Sequence, residues 1–296
     1  MRVFLLEVYI NRCIIRMLSG SMLNPKFVSI IPVSGQMHSK FSNIISIARN
    51  TFREAVRDRV LYNLVVFVLL ITACAIFLGE LTAGQEARTI VDLGLSAMLL
   101  FGAFIAIFVG VGLVSKEIEK RTLYAIFSKP ISRSEFIIGK YFGLCLTILV
   151  NVMVMGLGVS IALLYVGGNS LAWTIWGTII LIFFELAILT AVAIVFSSFS
   201  SPALSALLTF LVFIIGNFSA SLKDFAENIG SQFAKVFFAA IYYLLPNLSH
   251  FSFITNSAHG DVPPASMLYG GLVYGIIYVA ILLSISILIF SRRNLK

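Results

Sequence analysis

Charge is what this sequence has least of. Only 11% of its 296 residues are Asp, Glu, Lys or Arg, against about 25% in ordinary soluble domains. With 59% of the chain hydrophobic, a water-soluble fold of this length could not hide its apolar surface. Lipid is the solvent that fits such a composition. Cysteine is scarce too. Cys74 and Cys145 sit in or beside apolar runs and Cys13 stands apart, which argues against a disulfide framework. His38, His250 and His259 lack metal-ligand spacing. No Gly-x-x-x-x-Gly-Lys-Ser/Thr occurs. Gly139-Lys140 lacks the upstream glycine and the following hydroxyl residue, so the chain does not hold ATP through a P-loop. No nucleophile–base pair stands out, and no cofactor is called for.

What is present is a series of long uncharged runs, and they predict an all-α, polytopic membrane protein with six transmembrane helices. Residues 60–79 form the first run, and twenty helical residues rise about 30 Å, the thickness of the hydrocarbon layer. Residues 93–115 form the second. The stretch 141–184 is too long for one span, and Gly167, Gly168, Asn169 and Ser170 break it into a third span (about 141–166) and a fourth (about 171–197). The serine cluster 197–201 followed by Pro202 marks a stop and restart, with proline suited to a first helical turn. The fifth span then covers about 202–220 and the sixth about 266–290.

Two further helices are expected outside the spans. Phe41, Ile44, Ile45, Ala48, Phe52, Ala55 and Val56 recur at spacings of three and four, with Lys40, Arg49, Arg53, Arg57 and Arg59 on the other faces. This pattern fits an N-terminal helix lying in the membrane interface. Between the fifth and sixth spans, Phe225, Ile229, Phe233 and Phe237 alternate with charges. The apolar part is too short to span, so a re-entrant or interfacial helix is expected there. Residues 1–36 read as a variable extension or as translation from an upstream start, and 37–296 as one membrane domain.

Lys and Arg placement sets the expected orientation. Eighteen of the 21 fall in the N-terminal region, the 116–140 segment and the tail. Only Arg88, Lys223 and Lys235 fall on the other side. The positive-inside rule then puts both termini and the 116–140 segment in the cytoplasm. The +8 net charge is thus topological, and nucleic acid is not an expected partner.

The most charged stretch is 116–140. Ile118, Thr122, Ala125 and Ile126 carry the second helix on as a short amphipathic helix, and Pro130 stops it. Ser132 and Glu135 form a capping box for the third helix. The product is a helical elbow outside the membrane. Glu117-Ile118-Glu119, Thr122-Leu123, Pro130-Ile131-Ser132-Arg133 and Gly139-Lys140 together resemble the signature of type-2 ATP-binding-cassette (ABC) exporter permeases. The resemblance extends over the architecture from about Met37 to the end. Arg121 departs from the glycine that many members carry before the threonine.

The resemblance implies a non-catalytic transmembrane subunit in a bacterial cytoplasmic membrane. It implies a separate ABC ATPase subunit that binds the ATP, a second permease subunit, identical or not, and surrounding lipid as partners. It implies a coupling helix between the second and third spans that docks on the ATPase, with Glu117, Glu119, Arg121, Thr122, Leu123 and Phe127 as contact residues. An ion-coupled secondary transporter and a membrane-embedded lipid-processing enzyme are the alternatives. The former commonly shows repeated halves and more intramembrane charge. The latter needs several polar groups at one depth. The only acid deep in a span is Glu185, either on the substrate path or joining helices as a protonated or hydrogen-bonded group. Gly139-x-x-x-Gly143 and Gly271-x-x-x-Gly275 permit close helix approach and read as packing. The substrate is not legible.

Overall fold

A computed structural model describes residues 33–56, 85–119, 132–219 and 245–292, together with Val66, Phe67, Leu70, Phe77 and Tyr242; for 33–41 and 113–119 it describes the backbone alone. The chain divides into two units, Met1–Ser42 and Asn43–Lys296. Of the first, the helical backbone from Val33 and the exposed Ser42 are described.

The described residues are almost wholly helical and contain no strand. Among the described residues seven α-helices follow in order: α1 (Val33–Ala55), α2 (Glu86–Glu119), α3 (Arg133–Val166), α4 (Asn169–Phe199), α5 (Pro202–Asn217), α6 (Ile254–Ala258) and α7 (Ala265–Arg292). A 3₁₀ turn, Leu248–Phe251, precedes α6. Four of these helices, α2, α3, α4 and α7, are long and apolar enough to cross a membrane.

Local chemistry sets the boundaries. α3 opens on a capping box: the Ser132 hydroxyl accepts from the Glu135 amide at 3.2 Å, and the Glu135 carboxylate accepts from the Ser132 amide at 3.4 Å. It closes at Gly167, whose φ of 86° is a left-handed conformation that only glycine adopts freely. The Gly168 amide donates back to the Leu163 carbonyl at 2.8 Å, which completes the turn into α4. α4 ends at Phe199, and α5 restarts with Pro202 in its first turn. The glycine break and the serine–proline restart therefore lie where the sequence places them.

Other boundaries differ from expectation. α2 begins at Glu86, seven residues before the uncharged run, because a helix end can carry its charges into the interface. The start of α3 at Arg133 is instead the one its capping box predicts, and cap and span are one continuous helix. α5 stops after 16 residues at Asn217, about 24 Å of rise, which is short of a roughly 30 Å core. The expected first span and most of 221–244 lie outside the described residues. Phe67 is described, and its ring meets Phe101 of α2 edge-on at 6.0 Å. The count of six spans thus rests on the sequence; among the described residues four helices are long and apolar enough to be spans.

α4 is the centre of the bundle. It packs on α2, α3, α5 and α7, and Leu181, Leu186, Ile188 and Leu189 are fully enclosed. Glycines let the helices close on it: a Cβ at Gly102 or Gly110 of α2 would press on Leu186 or Ala193. α7 is the opposite case. Most of its side chains are exposed, among them Val273, Ile277, Ile281 and Leu288. In a membrane protein such a face meets lipid.

Candidate functional site

The first two turns of α3 form a joint. They follow directly on the residues where the sequence predicts the elbow, and Glu135 and Arg133 tie them to other helices. Glu135, buried and already closing the capping box, also accepts from the Asn43 side-chain amide of α1 at 3.2 Å. Arg133 reaches the other way. One guanidinium nitrogen donates to the backbone carbonyls of Phe290 and Ser291, each at 2.9 Å. Those carbonyls belong to the last turn of α7, where the helix leaves its final C=O groups without internal partners and carries partial negative charge. A cation there satisfies both. The Phe136 and Phe290 rings stack beside it at 5.9 Å.

One turn further on, the Lys140 ammonium lies 3.6 Å from Glu54 of α1 and 5.9 Å above the Phe136 ring. Lys140 is only 2% exposed. A buried ammonium is tolerated only with such compensation. Gly139 and Gly143 make the approach possible. A Cβ on Gly139 would sit 2.8 Å from the Ile47 side chain, and one on Gly143 would sit 2.6 Å from the Ala48 carbonyl oxygen. The Gly139-x-x-x-Gly143 motif is thus the crossing point of α1 over α3. Thr51 and Ala55 of α1 are fully buried, while Ile45 stays exposed. The apolar stripe of α1 is shared between protein contact and the surface.

The elbow residues divide. The α2 backbone is helical through Glu117 and Glu119. Arg121, Thr122, Leu123 and Phe127 lie outside the described residues.

Glu185 is elsewhere, midway along α4 and 1% exposed. Its carboxylate accepts from the Asn217 side-chain amide at 2.9 Å, at the end of α5. Past that point a polar network continues. The Asn247 side-chain oxygen accepts from the Ser219 and Ser249 hydroxyls, and its NH₂ donates to the Tyr242 hydroxyl. The Asn247 backbone amide donates to the Tyr274 hydroxyl of α7 at 2.9 Å. The α5 end approaches this loop through Gly216, where a Cβ would meet Leu248 and the Pro246 carbonyl. Sequence reasoning missed Asn43, Glu54, Asn217 and Asn247. For Asn217 and Asn247 an amide near the end of an apolar run was the available sign, since an amide in lipid needs a partner; Asn43 and Glu54 carried none.

Among the described residues, no cluster of three or more His, Cys, Asp or Glu side chains could hold a metal ion. The joint is a set of hydrogen bonds and one ion pair that tie the start of α3 to α1 and to the end of α7. Residues 45–295 match the model of the ABC-2 family transporter proteins. The chain belongs to that family. As an ABC-2 member with four long apolar helices, it is a multi-pass membrane component of an ABC transporter. No curated protein matches the sequence.

Proposed function

We propose that this chain is the permease subunit of an ABC exporter, moving its substrate with ATP hydrolysed by a separate ATPase subunit. Two permease subunits face each other, each seated on an ATPase, in a bacterial cytoplasmic membrane with both termini inside. The family match supports ABC transport ahead of an ion-coupled transporter or a lipid-processing enzyme. The joint at the base of α3 is the observation that carries the mechanism. The elbow lies between helical backbone ending at Glu119 and a capped restart at Ser132, so a push on it is delivered to two long helices.

The push does not stop there. The Arg133 bonds to Phe290 and Ser291 carry it to α7, and the Asn43–Glu135 and Glu54–Lys140 contacts carry it to α1. ATP binding and hydrolysis then bias two arrangements of these tied elements. Glu117, Glu119, Arg121, Thr122, Leu123 and Phe127 form the ATPase contact, the charged members pairing across it and the apolar ones filling a groove. For Glu185, the bond from Asn217 supports a carboxyl that joins α4 to α5.

The double variant Glu117→Lys, Glu119→Lys tests the contact. It should insert normally and lose co-purification of the ATPase. Undiminished assembly of that variant would reject the assigned docking residues.

A further inference from the structure

Between α3, α4 and α7 lies a cleft of about 460 Å³, within the roughly 300–1,000 Å³ typical of sites for small organic molecules. Its floor is Phe183, Phe184 and Ile188 of α4, and its rims are Phe142 of α3 and Leu272 and Ile276 of α7. The rims are exposed, Ile276 at 61%, so the cleft opens sideways through the apolar face of α7. Gly275, which also lines it, adds no side chain to fill it. Polar groups are few. The Tyr141 hydroxyl is turned to the Ala187 carbonyl at 3.4 Å, and the rest is carbon apart from the Cys145 thiol. A ligand headgroup would find no partner inside, but a hydrocarbon chain would.

The charge lies at one end. Arg133 is fixed on the carbonyls of Phe290 and Ser291, and the next residue, Arg292, is exposed. Two guanidinium groups therefore belong to the same end of the bundle. From Arg292 to Leu283 at the near end of the cleft is about 14 Å of helix, and from Arg133 to Tyr141 about 12 Å. One leaflet of hydrocarbon is about 15 Å deep, half of the roughly 30 Å core. A chain whose headgroup rests at the arginines reaches the cleft with its distal part. With Arg133 engaged on the α7 carbonyls, the exposed Arg292 is the headgroup partner: a guanidinium favours phosphate through bidentate hydrogen bonds, and basic groups at the ends of spanning helices attract anionic headgroups.

We propose that the α3–α4–α7 cleft binds one acyl chain of an anionic phospholipid whose phosphate is held by Arg292, at the end of α7 that Arg133 ties to α3. The site is distinct from the ATPase contact and does not depend on which leaflet that end faces. Because α7 is tied to α3 through Arg133, a lipid wedged along both helices stiffens the joint that the elbow drives.

Bromolipid quenching in nanodiscs tests this. Trp173 and Trp176 are replaced by Phe, and a single reporter is introduced as Phe184→Trp on the cleft floor or as Ile277→Trp on the exposed face of α7. Each protein is reconstituted with equal fractions of brominated-acyl phosphatidylglycerol or phosphatidylcholine. The floor reporter should be quenched several-fold more by the phosphatidylglycerol, and the α7 reporter equally by both. Arg292→Gln should abolish the preference, and Arg292→Lys should retain part of it. Gly275→Leu should lower quenching at the floor by either lipid. Equal quenching of the floor reporter by both lipids means ordinary annular contact and overturns the proposal. No quenching there means that the cleft is closed or covered by a second copy, and overturns it as well.

Discussion

Single residues in this protein are legible to different degrees, according to whether their partners are near in sequence. Ser132 and Glu135 cap each other across three residues, so the sequence alone exposes the pair. Glu185 announces itself as the only acid in a long apolar run, but its partner is 32 residues away on another helix, and nothing in the spacing points to Asn217. Lys140 is similar: its charge is visible in the sequence, while Glu54 is brought to it only by the crossing of α1 over α3. If Glu185 joins α4 to α5, its hydrogen bond matters more than its charge. Glu185→Gln, whose amide oxygen can still accept, should leave the melting temperature in detergent nearly unchanged. Glu185→Leu takes away one of the two acceptors of the Asn217 NH₂ and leaves it only the Phe213 carbonyl. It should cost about 1–3 kcal/mol and lower the melting temperature by several degrees. Leu and Gln variants of equal stability would remove the joining role.

Elements were readable where local signals mark their ends. The Gly167 turn, the serine–proline restart and the Ser132 cap are chain-local devices, and each falls where sequence patterning expects it. The extent of α5 was not readable, because an apolar run does not record where the backbone turns. Here α5 ends at Asn217 with a turn at Phe218, and Gly216 packs closely against Leu248. The partner of Gly139-x-x-x-Gly143 was equally hidden, since the motif permits approach without naming what approaches. That partner is α1, which makes a sharp prediction. Gly143→Leu places carbon where the Ala48 carbonyl and Thr51 lie and should lift α1 from α3. A cysteine replacing Ala55, which is fully buried against this joint, should then react with a maleimide several-fold faster than in the parent. Gly270→Leu, where a Cβ meets nothing within 4 Å, should leave that rate unchanged.

At the scale of the whole molecule, composition alone dictates the class: so little charge on so apolar a chain leaves the bilayer as its solvent. The bundle around α4 supplies a stable scaffold, α7 faces outward from it, and the polar links gather at the base of α3. In the proposed mechanism the links that fasten the first turns of α3 to both α1 and the end of α7 distribute a displacement received from outside. The account therefore stands on the elbow touching a nucleotide-driven partner. A photo-crosslinking amino acid in place of Leu123, in the full complex in membranes, measures this directly. The account predicts an adduct with an ABC ATPase subunit whose yield changes when ATP is added. An elbow that forms no adduct with such a subunit, in membranes where the permease is transporting, would contradict it.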